Sequence, residues 1–132
     1  MNSRALFLMA GWCGIALADP SPFALQIDAP AAKVGAAAQA HIKLTPNAGY
    51  HVNKEFPTSL KLVPPAGVDL PKPTLTAKDG VRVSENGADA DVTYTAKEAG
   101  KKIFSGVFSF AVCSAANCAP QREKVSFTVD VK

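Results

Sequence analysis

The sequence predicts a single all-β domain, an immunoglobulin-like antiparallel β-sandwich, from three observations. At 132 residues the chain has the length of one domain. Its 10 Pro and 9 Gly punctuate it into short segments, as in Thr45-Pro46-Asn47-Ala48-Gly49, Val63-Pro64-Pro65-Ala66-Gly67, Asp79-Gly80 and Asn86-Gly87. Between these breaks, apolar and polar side chains alternate with the two-residue period of a half-buried strand. Spacing of this kind predicts seven to nine strands.

Each segment can be taken in order. His41-Ile42-Lys43-Leu44 places Ile42 and Leu44 on one face, and Leu60-Lys61-Leu62 and Val81-Arg82-Val83 repeat the device. Residues 124–131, Lys-Val-Ser-Phe-Thr-Val-Asp-Val, form the cleanest strand, with Val125, Phe127, Val129 and Val131 inward. The Ala-rich stretch 31–40 is compatible with one helical turn, although Gly35 interrupts it. Residues 103–121 carry no charge at all. Their serines, Asn117, Pro120 and Gln121 argue for a buried central strand and a tight turn rather than a membrane span. Period two puts Phe104, Phe108, Phe110 and Val112 in the core. Cys113 falls on the opposite, half-polar face, which predicts a position near the surface or under a thin cover.

The N-terminus reads as a secretory signal peptide over residues 1–18. Arg4 is its one charge, Ala5–Leu17 is its short apolar core, and Ala16-Leu17-Ala18 is its cleavage site. The apolar core is shorter than the ~20 residues a transmembrane helix needs. The expected mature domain is therefore 19–132, periplasmic or secreted and not membrane-spanning. It retains two cysteines, Cys113 and Cys118, in a compartment where a disulfide persists. The formal charge of +3, without a basic cluster interleaved with aromatics, gives no indication of nucleic-acid binding.

Cys113 and Cys118 flank Ser114-Ala115-Ala116-Asn117, a common hairpin-loop length. As the last facing pair of an antiparallel hairpin, their Cα atoms are expected ~4.5–5.5 Å apart, within reach of a bridge. Closing a six-residue loop contributes only ~2 kcal/mol by the loop-entropy relation, against ~4.7 for a loop of about 100 residues. Two readings follow: a local clasp in a non-catalytic binding module, or a working redox pair. Arg122 and Lys124 lie downstream, and a nearby positive charge favours a thiolate. Other chemistries lack their residues. No Cys-x-x-Cys at a helix start is present, no Gly-x-Ser-x-Gly, and His41, His51 and the two cysteines lie in separate segments rather than as a zinc set. Blue copper would need a histidine after Cys113 and usually a methionine, which the mature domain does not have. His41 is expected to face solvent and His51 to be a turn or rim residue. No metal or cofactor is implied.

The charge-free strand running into Cys113-x4-Cys118-x-Pro120, followed by the amphipathic closing strand and preceded by Gly49-Tyr50-His51-Val52-Asn53-Lys54, resembles the N-terminal periplasmic domain of the disulfide-interchange reductant DsbD. That resemblance implies an immunoglobulin-like thiol–disulfide exchange module that passes reducing equivalents without a bound cofactor. It implies Cys118 as the residue forming the mixed disulfide and Cys113 as its resolving partner. It further implies thioredoxin-like exported proteins or a separate membrane reductant as partners, and an aromatic cap over the cysteines. The nearest counterpart of that cap loop, residues 84–91, has no aromatic, so either Phe56 or Tyr94 substitutes or the thiols are uncapped. The alternative remains a non-catalytic secreted β-sandwich whose Cys113–Cys118 disulfide is structural.

Overall fold

Alternation along the chain is realised as ten strands in two antiparallel sheets. The computed structural model describes residues 21–132, so the expected signal peptide over 1–18 lies outside the described residues. The strands are β1 (Phe23–Asp28), β2 (Ala37–Pro46), β3 (His51–Val52), β4 (Ser59–Val63), β5 (Val68–Asp69), β6 (Thr74–Thr76), β7 (Val81–Ser84), β8 (Gly87–Ala96), β9 (Gly100–Cys113) and β10 (Cys118–Val131). The first sheet runs β1-β2-β8-β5, with β7 also paired to β8; the second runs β10-β9-β4-β6, with β3 also paired to β9. No helix among the described residues is long and apolar enough to cross a membrane.

The count exceeds the expected seven to nine for a specific reason. Two long central strands each give one edge to two short neighbours. β8 pairs with β7 along residues 87–90 and with β5 at Thr95 and Ala96. β9 pairs with β4 along residues 105–109 and with β3 at Val112 and Cys113. Short pieces of two or three residues carry too little period to be read from composition.

Residues 31–40 form no helical turn. Ala32 bridges in parallel to Val131, Gly35 turns the chain at φ 79°, and Ala37 already begins β2. The parallel bridge is held by Ala32 N–H donating to the Asp130 carbonyl at 2.9 Å and Lys132 N–H donating to the Ala32 carbonyl at 2.9 Å. It carries the N-terminal segment from the first sheet to the edge of the second.

The core fills the space between the sheets with the residues the alternation selects. Ile42, Leu44, Leu60, Phe104, Phe108, Phe110 and Val129 are fully buried, and Val125, Phe127 and Val131 nearly so. Phe104 stacks on Phe127 with ring centroids 4.8 Å apart, and Tyr94 packs on Phe104 at 5.0 Å. Phe23 of β1 meets Phe110 edge-on at 4.9 Å, fastening the two sheets near the hairpin end. Gly106 lets β4 and β9 approach: a Cβ there would lie 2.1 Å from the Lys61 carbonyl oxygen, which is backbone and cannot swing aside.

Tyr94 is therefore a core residue, 1% exposed, and does not cap the cysteines. Its hydroxyl is buried with no hydrogen-bond partner among the described residues, and burial pushes its pKa up. An unsatisfied buried hydroxyl costs ~1–3 kcal/mol. Tyr94→Phe is thus expected to leave the protein as stable or to raise its stability by about 1 kcal/mol in urea unfolding; a loss above ~1 kcal/mol would show that the hydroxyl is bonded.

Candidate functional site

β9 and β10 pair without a break from Gly100↔Val131 to Cys113↔Cys118. The hairpin brings the two sequence-predicted site residues together, and they are joined by a disulfide with Cα atoms 3.9 Å apart, closer than the expected facing pair. Between them Ser114 organises the loop. Its N–H donates to the Asn117 carbonyl at 2.7 Å, while its hydroxyl oxygen accepts from Ala116 N–H at 3.3 Å and Asn117 N–H at 3.1 Å. Serine at the first loop position is the signal for this turn, which bonds its own backbone in place of a ladder.

The two cysteines differ in environment. Cys118 is exposed, whereas Cys113 is 2% exposed. This corrects the expectation that Cys113 lies near the surface. Strict alternation fails at the end of β9, where Ala111, Val112 and Cys113 are all buried. Here β9 gains a neighbour on its second edge: His51 pairs with Cys113, Val52 with Val112, and Asn53 N–H donates to the Ala111 carbonyl at 3.0 Å. From Asn53 the chain loops out and rejoins the same edge at Ser59, opposite Ser109. The Asn53 side-chain oxygen accepts from Glu55 N–H at 3.0 Å, and the half-buried Phe56 accepts Thr58 N–H through its carbonyl at 2.8 Å. On the far side of β3, Val52 N–H donates to the Glu85 carbonyl at 3.0 Å, tying the hairpin end to the β7–β8 turn. His51 is exposed, a rim residue as expected, and its place opposite Cys113 was not readable from a two-residue strand.

Arg122 and Lys124 share the face of Cys118 but are not beside it. At ~3.3 Å per residue their backbones lie about 13 and 20 Å along β10, more than one Debye length of ~10 Å at 0.1 M salt. Neither supplies close electrostatic support to a thiolate. The cavity next to His51, lined also by Asn53, Lys54 and Glu85, measures about 150 Å³. That is below the ~300 Å³ at which small-molecule sites begin.

No family model matches this chain, and no curated protein matches it. Among solved structures it is similar to AggA, the major subunit of aggregative adherence fimbriae type I from Escherichia coli. Identity is 14%, the match covers 84% of this chain and 95% of that one, and the TM-score is 0.44. At that level the likeness says nothing of what this chain does. The resemblance to the DsbD N-terminal domain is corrected by these findings: neither a family model nor a curated relative supports it. The physical reason is that Cys-x4-Cys-x-Pro is also a general way to end an antiparallel hairpin. A four-residue loop faces two residues across, and Pro120 sits where its missing N–H breaks no ladder bond.

The densest polar cluster lies on the outer face of the other sheet. Asp91 of β8 is held between His41 of β2, which pairs with it through Nδ1, and Arg82 of β7, whose Nη1 donates at 2.9 Å. Arg82 also approaches Asp89 at 2.5 Å. His41 faces solvent as expected. The hydrogen bond from Arg82, outweighing partial desolvation and helped by His41, holds the Asp91 carboxyl below the usual carboxylate range. The folded state therefore prefers the ionised form more than the unfolded chain does. That contribution is present above the ordinary carboxylate pKa and is lost as pH falls through the lower folded value. Exposed pairs of this kind contribute ~0–1 kcal/mol. Asp91→Asn is expected to be slightly less stable than wild type at pH 7, the gap narrowing as pH falls below ~4; a gap independent of pH would contradict the ionised cluster.

Proposed function

We propose that this chain is an exported, non-catalytic β-sandwich that binds a partner in the cell envelope, with the Cys113–Cys118 disulfide as a clasp on its longest hairpin. The observation that carries this reading is the setting of the bond. It joins two residues that fourteen consecutive backbone pairs already bring face to face, and one of its sulfurs belongs to a buried residue. Such a bond adds little to the overall connectivity and much to the definition of the hairpin end. The signal-peptide pattern over 1–18 supports export to the periplasm or beyond, where the bond persists.

A second reading is favoured by one observation, the exposure of Cys118 beside a buried Cys113. In thiol–disulfide exchange an incoming thiolate would attack the accessible Cys118 sulfur, releasing Cys113 as the resolving thiolate. Against it stand the distance of Arg122 and Lys124 along β10 and the burial of Tyr94 in the core rather than over the cysteines.

Incubation of the oxidised chain with a reduced thioredoxin-fold protein, followed by alkylation and mass shift, separates the two. The clasp reading predicts that the bond stays oxidised and that Cys113→Ser traps no mixed disulfide. It also predicts that Cys113→Ser/Cys118→Ser folds and loses ~2 kcal/mol of stability. A stable mixed disulfide through Cys118 would replace it with exchange.

A further inference from the structure

Strand β10 has an open edge. Even-numbered residues of β10 turn their N–H and C=O groups away from β9, as two observations require. The Ser114 N–H to Asn117 carbonyl bond makes 114/117 a hydrogen-bonded pair, so 113/118 and every second pair after it are not. At the other end the Asp130 carbonyl and Lys132 N–H reach outward to Ala32. Between Cys118 and Thr128 nothing among the described residues takes up this edge. Pro120 has no donor, which leaves the outward N–H groups of Arg122, Lys124, Ser126 and Thr128 in a row.

The side chains of the same residues are all exposed on the outer face of the sheet. Arg122 and Lys124 stand ~6.7 Å apart at alternate positions of the strand. Lys61 of β4 lies in line with Lys124 across Val107. None of the three cations makes an ion pair among the described residues. The carboxylate that β10 presents on this face, Asp130, is six positions from Lys124 and opposite Lys101. The acids of β8, Asp89 and Asp91, lie on the other sheet, already paired with Arg82. On the inward side of the open edge lies β1, whose Phe23, Leu25 and Ile27 are only half-buried. β1 shares this flank because Ala32, four residues after its end, is bonded to β10.

We propose that the β10 edge between Arg122 and Thr128 is a strand-addition site for an extended acidic segment of a partner protein, one that alternates carboxylate and apolar residues. Its backbone takes up the row of free N–H and C=O groups. Its carboxylates, spaced like any alternate strand residues, fall beside Arg122 and Lys124. Its apolar residues turn inward over the flank of Phe23, Leu25 and Ile27. A second copy of β10 paired through Arg122 and Lys124 would bring four cations together on the outer face, with Glu123 turned to the other side of the strand.

The inference rests on the binding-module reading and fails differently from it. Exchange through Cys118 would appear as a mixed disulfide indifferent to position 126, whereas a wrong edge appears as no peptide binding by a chain whose bond stays oxidised. The test is titration of the mature, oxidised chain with a labelled ten-residue peptide alternating Glu and Val, against one alternating Lys and Val. The acidic peptide is expected to bind at least tenfold more tightly. Arg122→Glu/Lys124→Glu should weaken it at least tenfold. Ser126→Pro should do the same while leaving the melting temperature near wild type, because that N–H serves no bond within the sheet. Exchange of the Arg122, Lys124, Ser126 and Thr128 amides should slow at least tenfold in the complex. Equal binding of the two peptides would overturn the proposal. So would binding that charge reversal abolishes and Ser126→Pro leaves intact, since that describes a cationic face without strand addition.

Discussion

A strand hydrogen bonded along both edges and buried on both faces has no freedom to slip, because a shift of one residue would turn its whole apolar set to solvent. The C-terminal end of β9 is such a strand. Phe110, Ala111, Val112 and Cys113 are all buried, β10 holds one edge along its full length, and β4 and β3 divide the other. Most other features of the second sheet follow from that constraint. Gly106 must lack a side chain for β4 to reach its place, and the chain must loop out between Asn53 and Ser59 to serve the same edge twice. The disulfide lies at the end of this ordered strand and not at its origin.

The two sheets carry charge in different ways. On the first, Asp89, Asp91, Arg82 and His41 are paired with one another. On the second, Lys61, Arg122 and Lys124 make no ion pair among the described residues, and Arg122 and Lys124 lie on the unpaired edge strand. Exposed edges are usually blunted by proline, lysine or brevity. Pro120 and Lys124 do blunt this one in part. Four successive outward donors nevertheless remain, which is more than such protection leaves in a strand meant only to be avoided.

The sandwich was legible because its evidence is local. The alternation of residues 124–131 and of Ile42 with Leu44 reports burial directly, and Phe104, Phe108 and Phe110 fall where period two puts them. The hairpin and its bond were legible for the same reason, since spacing alone makes Cys113 and Cys118 facing residues. What the sequence did not reveal is non-local. That Cys113 is paired on its second edge depends on β3, two residues long and 62 positions earlier. That Tyr94 is core rather than cap depends on its packing against Phe104. The open edge of β10 depends on knowing which parity faces β9, which only the pairing register decides. The family resemblance failed for a related reason: a short motif built from hairpin geometry recurs wherever that geometry does.

The reduction potential of the Cys113–Cys118 pair, measured by equilibrating the purified 19–132 domain against thiol buffers and alkylating the free thiols, tests the central claim most directly. A structural clasp predicts a value below ~−300 mV, resistant to cellular thiol buffers. A value between ~−180 and −270 mV, the range of exchange proteins, would contradict the clasp and make Cys118 the working residue of a redox module.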